Sequence, residues 1–138
     1  MAETRDLKDR TKKFAVRVIR LVDKLPKSVS SGVVARQLVR SATSIGANYR
    51  AACRGRSPAE FIAKLQIAME ESDESMYWLE LMLELEMMES EAARELIREA
   101  DELTVIFVSS LKTARYKLQV RQLLHSNFFL LPCSAPIV

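Results

Sequence analysis

Turn-forming residues are scarce in this 138-residue chain, which has three Gly and four Pro. Antiparallel β folds need many turns, and α/β folds need glycine at strand–helix junctions, so the scarcity points to few, long elements. Cysteine is nearly absent. Cys53 and Cys133 sit in neither a CxxC nor a Cys/His cluster, so no zinc site is readable and no disulfide framework is expected. The default compartment is therefore a reducing cytoplasm. One histidine, His125, leaves no Glu-x-x-His pair for a ferritin-like di-iron centre. No apolar run reaches the about 18 residues that would suggest a membrane span. The N-terminal MAETRDLKDRTKKF has no apolar h-region and does not read as a signal peptide. No phosphate loop, dinucleotide loop or GxSxG elbow occurs. The expectation is a non-enzymatic protein with no cofactor and no metal.

What is present is an uneven distribution of charge. Residues 1–56 hold 14 Lys/Arg against 4 Asp/Glu, residues 57–103 hold 3 against 14, and residues 104–138 hold 4 against none. The net +3 conceals this division. A basic half and an acidic half in one small domain suggest self-association, an anionic partner, or both.

Hydrophobic periodicity predicts four helices, at about 6–25, 31–54, 58–88 and 91–125. Pro26 stops the first, and Ser30 or Ser31 is the expected N-cap of the second. Gly55 is expected to end the second helix in the left-handed C-cap position. Ser57-Pro58-Ala59-Glu60 predicts an N-cap, a proline at N1 and a capping-box glutamate. Ser90 is the expected cap of the fourth helix. There Leu96, Ala100, Leu103, Phe107, Leu111, Ala114 and Leu118 form a heptad seam. Such helices with short loops predict an all-α, antiparallel up-down-up-down four-helix bundle over residues 1–125. A helical array and a helix-turn-helix domain are the alternatives, weakened by the absence of a repeat and by helix length. The apolar segment 126–138 is expected to be irregular, either untethered or packed on a neighbour.

Two basic stripes stand out. On the first helix Arg10, Lys13, Arg17, Arg20 and Lys24 fall within about 80° of arc; on the second Arg36, Arg40, Arg50 and Arg54 do likewise, with Arg56 just beyond. Arginine pairs with phosphate bidentately and lysine as a point charge, so Lys13, Arg17, Arg20, Lys24, Arg36, Arg40, Arg50, Arg54 and Arg56 form a candidate nucleic-acid surface. The competing reading pairs these stripes with the acidic half, within the chain or across subunits. The acidic cluster Glu70, Glu71, Asp73 and Glu74 reads as a solvated or salt-bridged face, not a Mg²⁺ or Ca²⁺ site. Ser41, Ser44 and Asn48 lie on or beside the apolar face of the second helix, where Asn48 is expected to fix register. Ala35, Ala42 and Gly46 form a small-residue strip suited to close packing or a subunit contact. Tyr77, Trp78, Leu81, Met82 and Leu85, with Ile97, Val105, Ile106 and Val108, widen the apolar surface beyond one stripe and favour an oligomer.

Gln37 to Asn48, QLVRSATSIGAN, resembles the QLxRAAxSIxAN signature of the four-helix-bundle proteins encoded in intervening sequences of bacterial 23S rRNA genes, also called the S23 ribosomal protein family. The resemblance continues through Arg54-Gly55-Arg56-Ser57, Phe61 to Ala68, and Glu74 to Leu81, and covers about residues 5–120. It implies a left-handed bundle, a ring-shaped homopentamer and no established enzymatic activity. A related accessory protein of diversity-generating retroelements works with a reverse transcriptase and RNA, which adds a reverse transcriptase or another protein as a candidate partner. The resulting expectation is a cytoplasmic homo-oligomer that binds RNA or a ribonucleoprotein. The alternative is a protein-interaction scaffold that binds no nucleic acid.

Overall fold

The computed structural model describes the backbone of residues 2–130 and the side chains of residues 6–126. Among the described residues there are four helices: α1 (Ala2–Val22), α2 (Val29–Cys53), α3 (Pro58–Glu84) and α4 (Ser90–Leu130). Each packs on the next in sequence and α1 closes the ring against α4, giving an all-α four-helix bundle. The α1–α4 edge is the thinnest of the four. The core is built from the stripes read in the sequence: Phe14 and Val18, Leu38 and Ile45, Leu65 and Leu79, Leu103, Phe107 and Leu111 are all essentially inaccessible. Tyr49 and Phe107 meet across the bundle, ring centroids 5.8 Å apart. Met82, counted in the surplus apolar surface of the sequence reading, is fully buried in this core, whereas Tyr77, Leu85 and Val105 are exposed.

The helix ends differ from the expected ones for local reasons. α1 ends at Val22, and residues 23–25 tighten into short-range bonds, Lys24 N–H to Leu21 O and Leu25 N–H to Val22 O, both 3.1 Å. The N-cap of α2 is Ser28, not Ser30 or Ser31. Ser31 is its N3 partner: Ser31 N–H donates to Ser28 Oγ (3.1 Å) and Ser28 N–H donates to Ser31 Oγ (3.0 Å). At the C-terminus of α2 the cap is Arg54, with φ −100°, and no described glycine has positive φ. Gly55 is needed for space instead, since a Cβ there would stand 3.0 Å from Ala52 O and 3.2 Å from the Phe61 amide nitrogen.

Ser57 caps α3 as expected, accepting from Glu60 N–H at 3.1 Å, but the Glu60 carboxylate reaches past the cap to the Arg56 amide (2.9 Å). α3 stops at Glu84, four residues before the expected end at Met88. Met87 N–H bonds to Met82 O (3.0 Å) and Glu86 N–H to Leu83 O (3.1 Å), the paired reversal of a Schellman motif, with Glu86 at φ 52°. α4 begins at Ser90, so Ser90 lies inside the helix, and Ala93 N–H bonds back to Glu89 O (3.3 Å). α4 runs to Leu130, past the expected 125, so the start of the expected irregular tail is helical. Residues 131–138, with Cys133, lie outside the described residues. At 1.5 Å per residue α3 is about 40 Å long and α4, with 41 residues, about 60 Å. The last buried seam residue of α4 is Leu111; Ala114 and Leu118 are only half-buried. Beyond Leu111 the helix runs largely outside the core.

Candidate nucleic-acid interface

Every basic residue singled out in the sequence lies on a helix or beside one, and the structure divides them by partner. On α1, Arg10 is clamped between two acids of α4. Its Nε and Nη2 donate to Glu99 at 3.0 and 2.9 Å, and Nη2 also donates to Glu102 at 2.9 Å. Those hydrogen bonds, from Glu99 first, raise the guanidinium pKa above its ordinary value against the opposing effect of burial. Arg17 Nη2 pairs with Glu95 at 3.0 Å. The α1 stripe thus turns toward the acidic edge of α4. Lys13, Arg20 and Lys24 are exposed along that edge without a carboxylate in ion-pair range among the described residues.

On α2 the division is sharper. Arg40 reaches α3, where it pairs with Glu71 (3.2 Å) and with Glu74. Glu74 also accepts from Trp78 Nε1 at 3.0 Å. The Arg40 hydrogen bond, then that of Trp78, holds the Glu74 carboxyl below its ordinary pKa. The Arg40 guanidinium is raised in turn, chiefly by Glu74. Part of the acidic cluster therefore serves this ion-pair network, and Glu70 accepts from Gln66 Nε2 at 2.8 Å. Arg36, Arg50 and Arg54 stay exposed on the outer face of α2, with no carboxylate in ion-pair range among the described residues. Arg36 and Arg54 share one angular position on the helix, and Arg50 lies about 40° away. The α1 and α2 stripes do not converge on one surface: one turns toward α4 and the other faces outward, with Arg40 reaching α3.

The polar residues of α2 serve packing. Ser41 is buried and donates to Leu38 O (3.1 Å). Ser75 Oγ of α3 lies 2.9 Å from Ser41 Oγ and 2.8 Å from Glu71 O. A second hydroxyl contact, Ser72–Thr104 at 2.7 Å, joins α3 to α4. Ser72, Ser75 and Thr104 were not singled out in the sequence, because serine and threonine carry no apolar signal at stripe positions. Asn48, expected to fix register, finds its partner within α2, where its Nδ2 donates to Ser44 O (2.9 Å). Gly46 is a point of close approach, where a Cβ would lie 3.1 Å from Thr11 Oγ1 of α1. The small-residue strip thus meets α1 of the same chain at this point.

A further basic element escaped the sequence reading. Where α4 passes the α2–α3 junction, a cleft of about 920 Å³ opens. Arg56, Lys117 and Arg121 line it together with Ser57, Ser109, Ser110, Thr113 and Phe61. Among the described residues no carboxylate lines the cleft; Glu60 nearby is bonded to the Arg56 amide (2.9 Å). The acid-free composition of residues 104–138 was visible in the sequence, but its placement opposite Arg56 depends on tertiary register. Among the described residues no group of three or more His, Cys, Asp and Glu forms a metal-binding cluster. None of their helices is long and apolar enough to cross a membrane.

No curated protein matches the chain. A solved structure does: a protein of unknown function from the S23 ribosomal protein family of Bacteroides thetaiotaomicron VPI-5482, with 37% sequence identity and a TM-score of 0.73. The match covers 79% of this chain and 97% of that one. The family model described as 23S rRNA-intervening sequence protein matches residues 3–109, which leaves the outer part of α4 beyond the match. With the signature segment of α2 inside the matched region, the chain belongs to the 23S rRNA-intervening sequence protein family.

Proposed function

We propose that this protein is a non-enzymatic, cytoplasmic homo-oligomer, a pentamer by family resemblance, that binds RNA or a ribonucleoprotein through basic helix faces. The observation that carries the reading is the outer face of α2. Arg36, Arg50 and Arg54 project there without acidic partners among the described residues, while Arg10, Arg17 and Arg40 are engaged by acids of their own chain. Guanidinium groups held free on a rigid helix can take phosphate oxygens bidentately. Repetition by subunit symmetry would multiply a modest patch into a high-affinity surface. Arg17 and Arg40 then contribute by holding the bundle, and the RNA contacts fall to Arg36, Arg50, Arg54 and Arg56, with Lys13, Arg20 and Lys24 as an outlying group.

The test is Arg36→Gln/Arg50→Gln/Arg54→Gln, which leaves every described ion pair intact. RNA affinity should fall while light scattering shows an unchanged oligomer. The log–log salt slope should flatten by about 0.7 per lost phosphate contact on single strands. Unchanged affinity and slope would exclude this face. A protein that binds no RNA, yet retains a protein partner after nuclease treatment, would be a scaffold.

A further inference from the structure

We infer that the cleft between the α2–α3 junction and the outer part of α4 is a phosphate-binding site that seats the backbone of an unpaired RNA strand. The inference rests on the RNA-binding reading above but places a second contact region outside the α2 face. Three cations from two separate segments, Arg56 before α3 and Lys117 and Arg121 on α4, face one recess with no carboxylate in its lining among the described residues; Asp6 lies in the neighbouring recess that shares Phe61 and Ser110. Like charges gathered around a concavity repel one another and raise its potential, which draws in an anion. Ser57 and Ser109 add hydroxyls that can donate to phosphate oxygens, whereas those of Ser110 and Thr113 already donate to Ile106 O (2.9 Å) and Ser109 O (3.2 Å). Phe61 adds an aromatic side chain to the wall, of the kind on which an unstacked base can lie.

The size suits such a ligand. At about 920 Å³ the cleft is in the range of small-molecule pockets, roughly 300–1,000 Å³. A recess of that size has room for an unpaired nucleotide and its phosphates. Thr113, Lys117 and Arg121 all lie beyond residue 109, where the family match ends. The outer α4 wall of the site therefore lies beyond the matched family region, while Arg56, Ser57, Phe61 and Ser109 lie within it.

The probe is a short fluorescently labelled unpaired oligoribonucleotide, read by anisotropy across a salt series. Lys117→Gln and Arg121→Gln should each weaken binding several-fold and flatten the salt slope by about 0.7. Lys117→Arg should retain affinity. Lys112→Gln provides the charge-matched control, since Lys112 is exposed on the same helix but does not line the cleft; it should change little. Equal losses at Lys112 and Lys117 would reduce the effect to a diffuse field and overturn the site. Unchanged binding in both cleft variants would overturn it too. With a blunt duplex as probe, Lys117→Gln should be silent, and an equal loss there would remove the unpaired-strand assignment. If Arg36→Gln/Arg50→Gln/Arg54→Gln weakens binding and the cleft variants do not, the α2 surface stands and the cleft falls. If the wild-type protein does not bind the oligoribonucleotide at all, both fall.

Discussion

Glu74 accepts from a guanidinium of α2 and from the indole of the chain's only tryptophan, so one carboxylate ties charge to a spectroscopic signal. Its depressed pKa means that the folded state prefers the ionised form. The contribution is fully present above the ordinary glutamate value of about 4.3 and is lost as pH falls through the lower folded value. Glu74→Gln should therefore destabilise by about 0.2–1 kcal/mol at neutral pH, in keeping with a partly exposed pair. The difference should vanish in acid, and denaturant melts at the two pH values would show it. Trp78 emission should shift over the same acid range in the wild type and not in the variant. Gly46 gives a second residue-scale test. Ala normally stabilises a helix relative to Gly by roughly 0.5–1 kcal/mol, but here the added Cβ meets Thr11, whose side chain is fully buried and bonded to Lys8 O. Gly46→Ala should cost about 1–3 kcal/mol as overpacking. In a Thr11→Ala background the same change should be neutral or stabilising. Neither contact is legible in a sequence. The basic stripes were visible at 100° per residue, but which arginine meets a carboxylate is decided by helix register.

Among the elements, the sequence predicts α3 best at its start and worst at its end. Ser57-Pro58 is a start signal with a mechanism. The stop has no glycine: Glu86 adopts φ 52° inside a complete Schellman reversal, and the apolar Met87 and Met88 extend the helical pattern past it. A non-glycine residue in the left-handed region costs roughly 1–2 kcal/mol. Glu86→Gly should thus raise stability by about 0.5–1 kcal/mol, measured by thermal or denaturant unfolding. The α4 seam was legible as far as packing enforces it. Leu103 and Phe107 are fully buried, and truncating either to Ala should cost about 2–5 kcal/mol. A cost near zero at both would mean that the helix does not face the core as described. Past Leu111 the same heptad spacing continues with little among the described residues to cover it, and periodicity alone cannot tell a covered stripe from an uncovered one.

At the scale of the whole molecule the opposite-sign halves of the sequence become opposing helix edges. Arg10 and Arg17 join α1 to α4 along the thinnest side of the ring. Arg40 joins α2 to α3. These pairs lie within one chain, so moderate salt should weaken the proposed RNA binding without dissociating the proposed oligomer through them; light scattering across the salt series used for binding separates the two effects. α4 also spans two thermodynamic regimes without a break in its hydrogen-bond ladder. From its second turn to Leu111 its amides should open chiefly with the core, whereas those beyond it have only the half-buried Ala114, Leu118 and Val120 and the Arg115–Gln66 bond (2.6 Å) to tie the helix down. In native-state hydrogen exchange the first group should approach the slowest rates in the protein, and the second should exchange faster by orders of magnitude. The wall of the Arg56–Arg121 cleft is built from that second group. A ligand bound there would have to suppress the wall's opening, so its free energy of binding should be recorded as slowed exchange between Lys112 and Arg121, in a segment otherwise close to its own helix–coil limit.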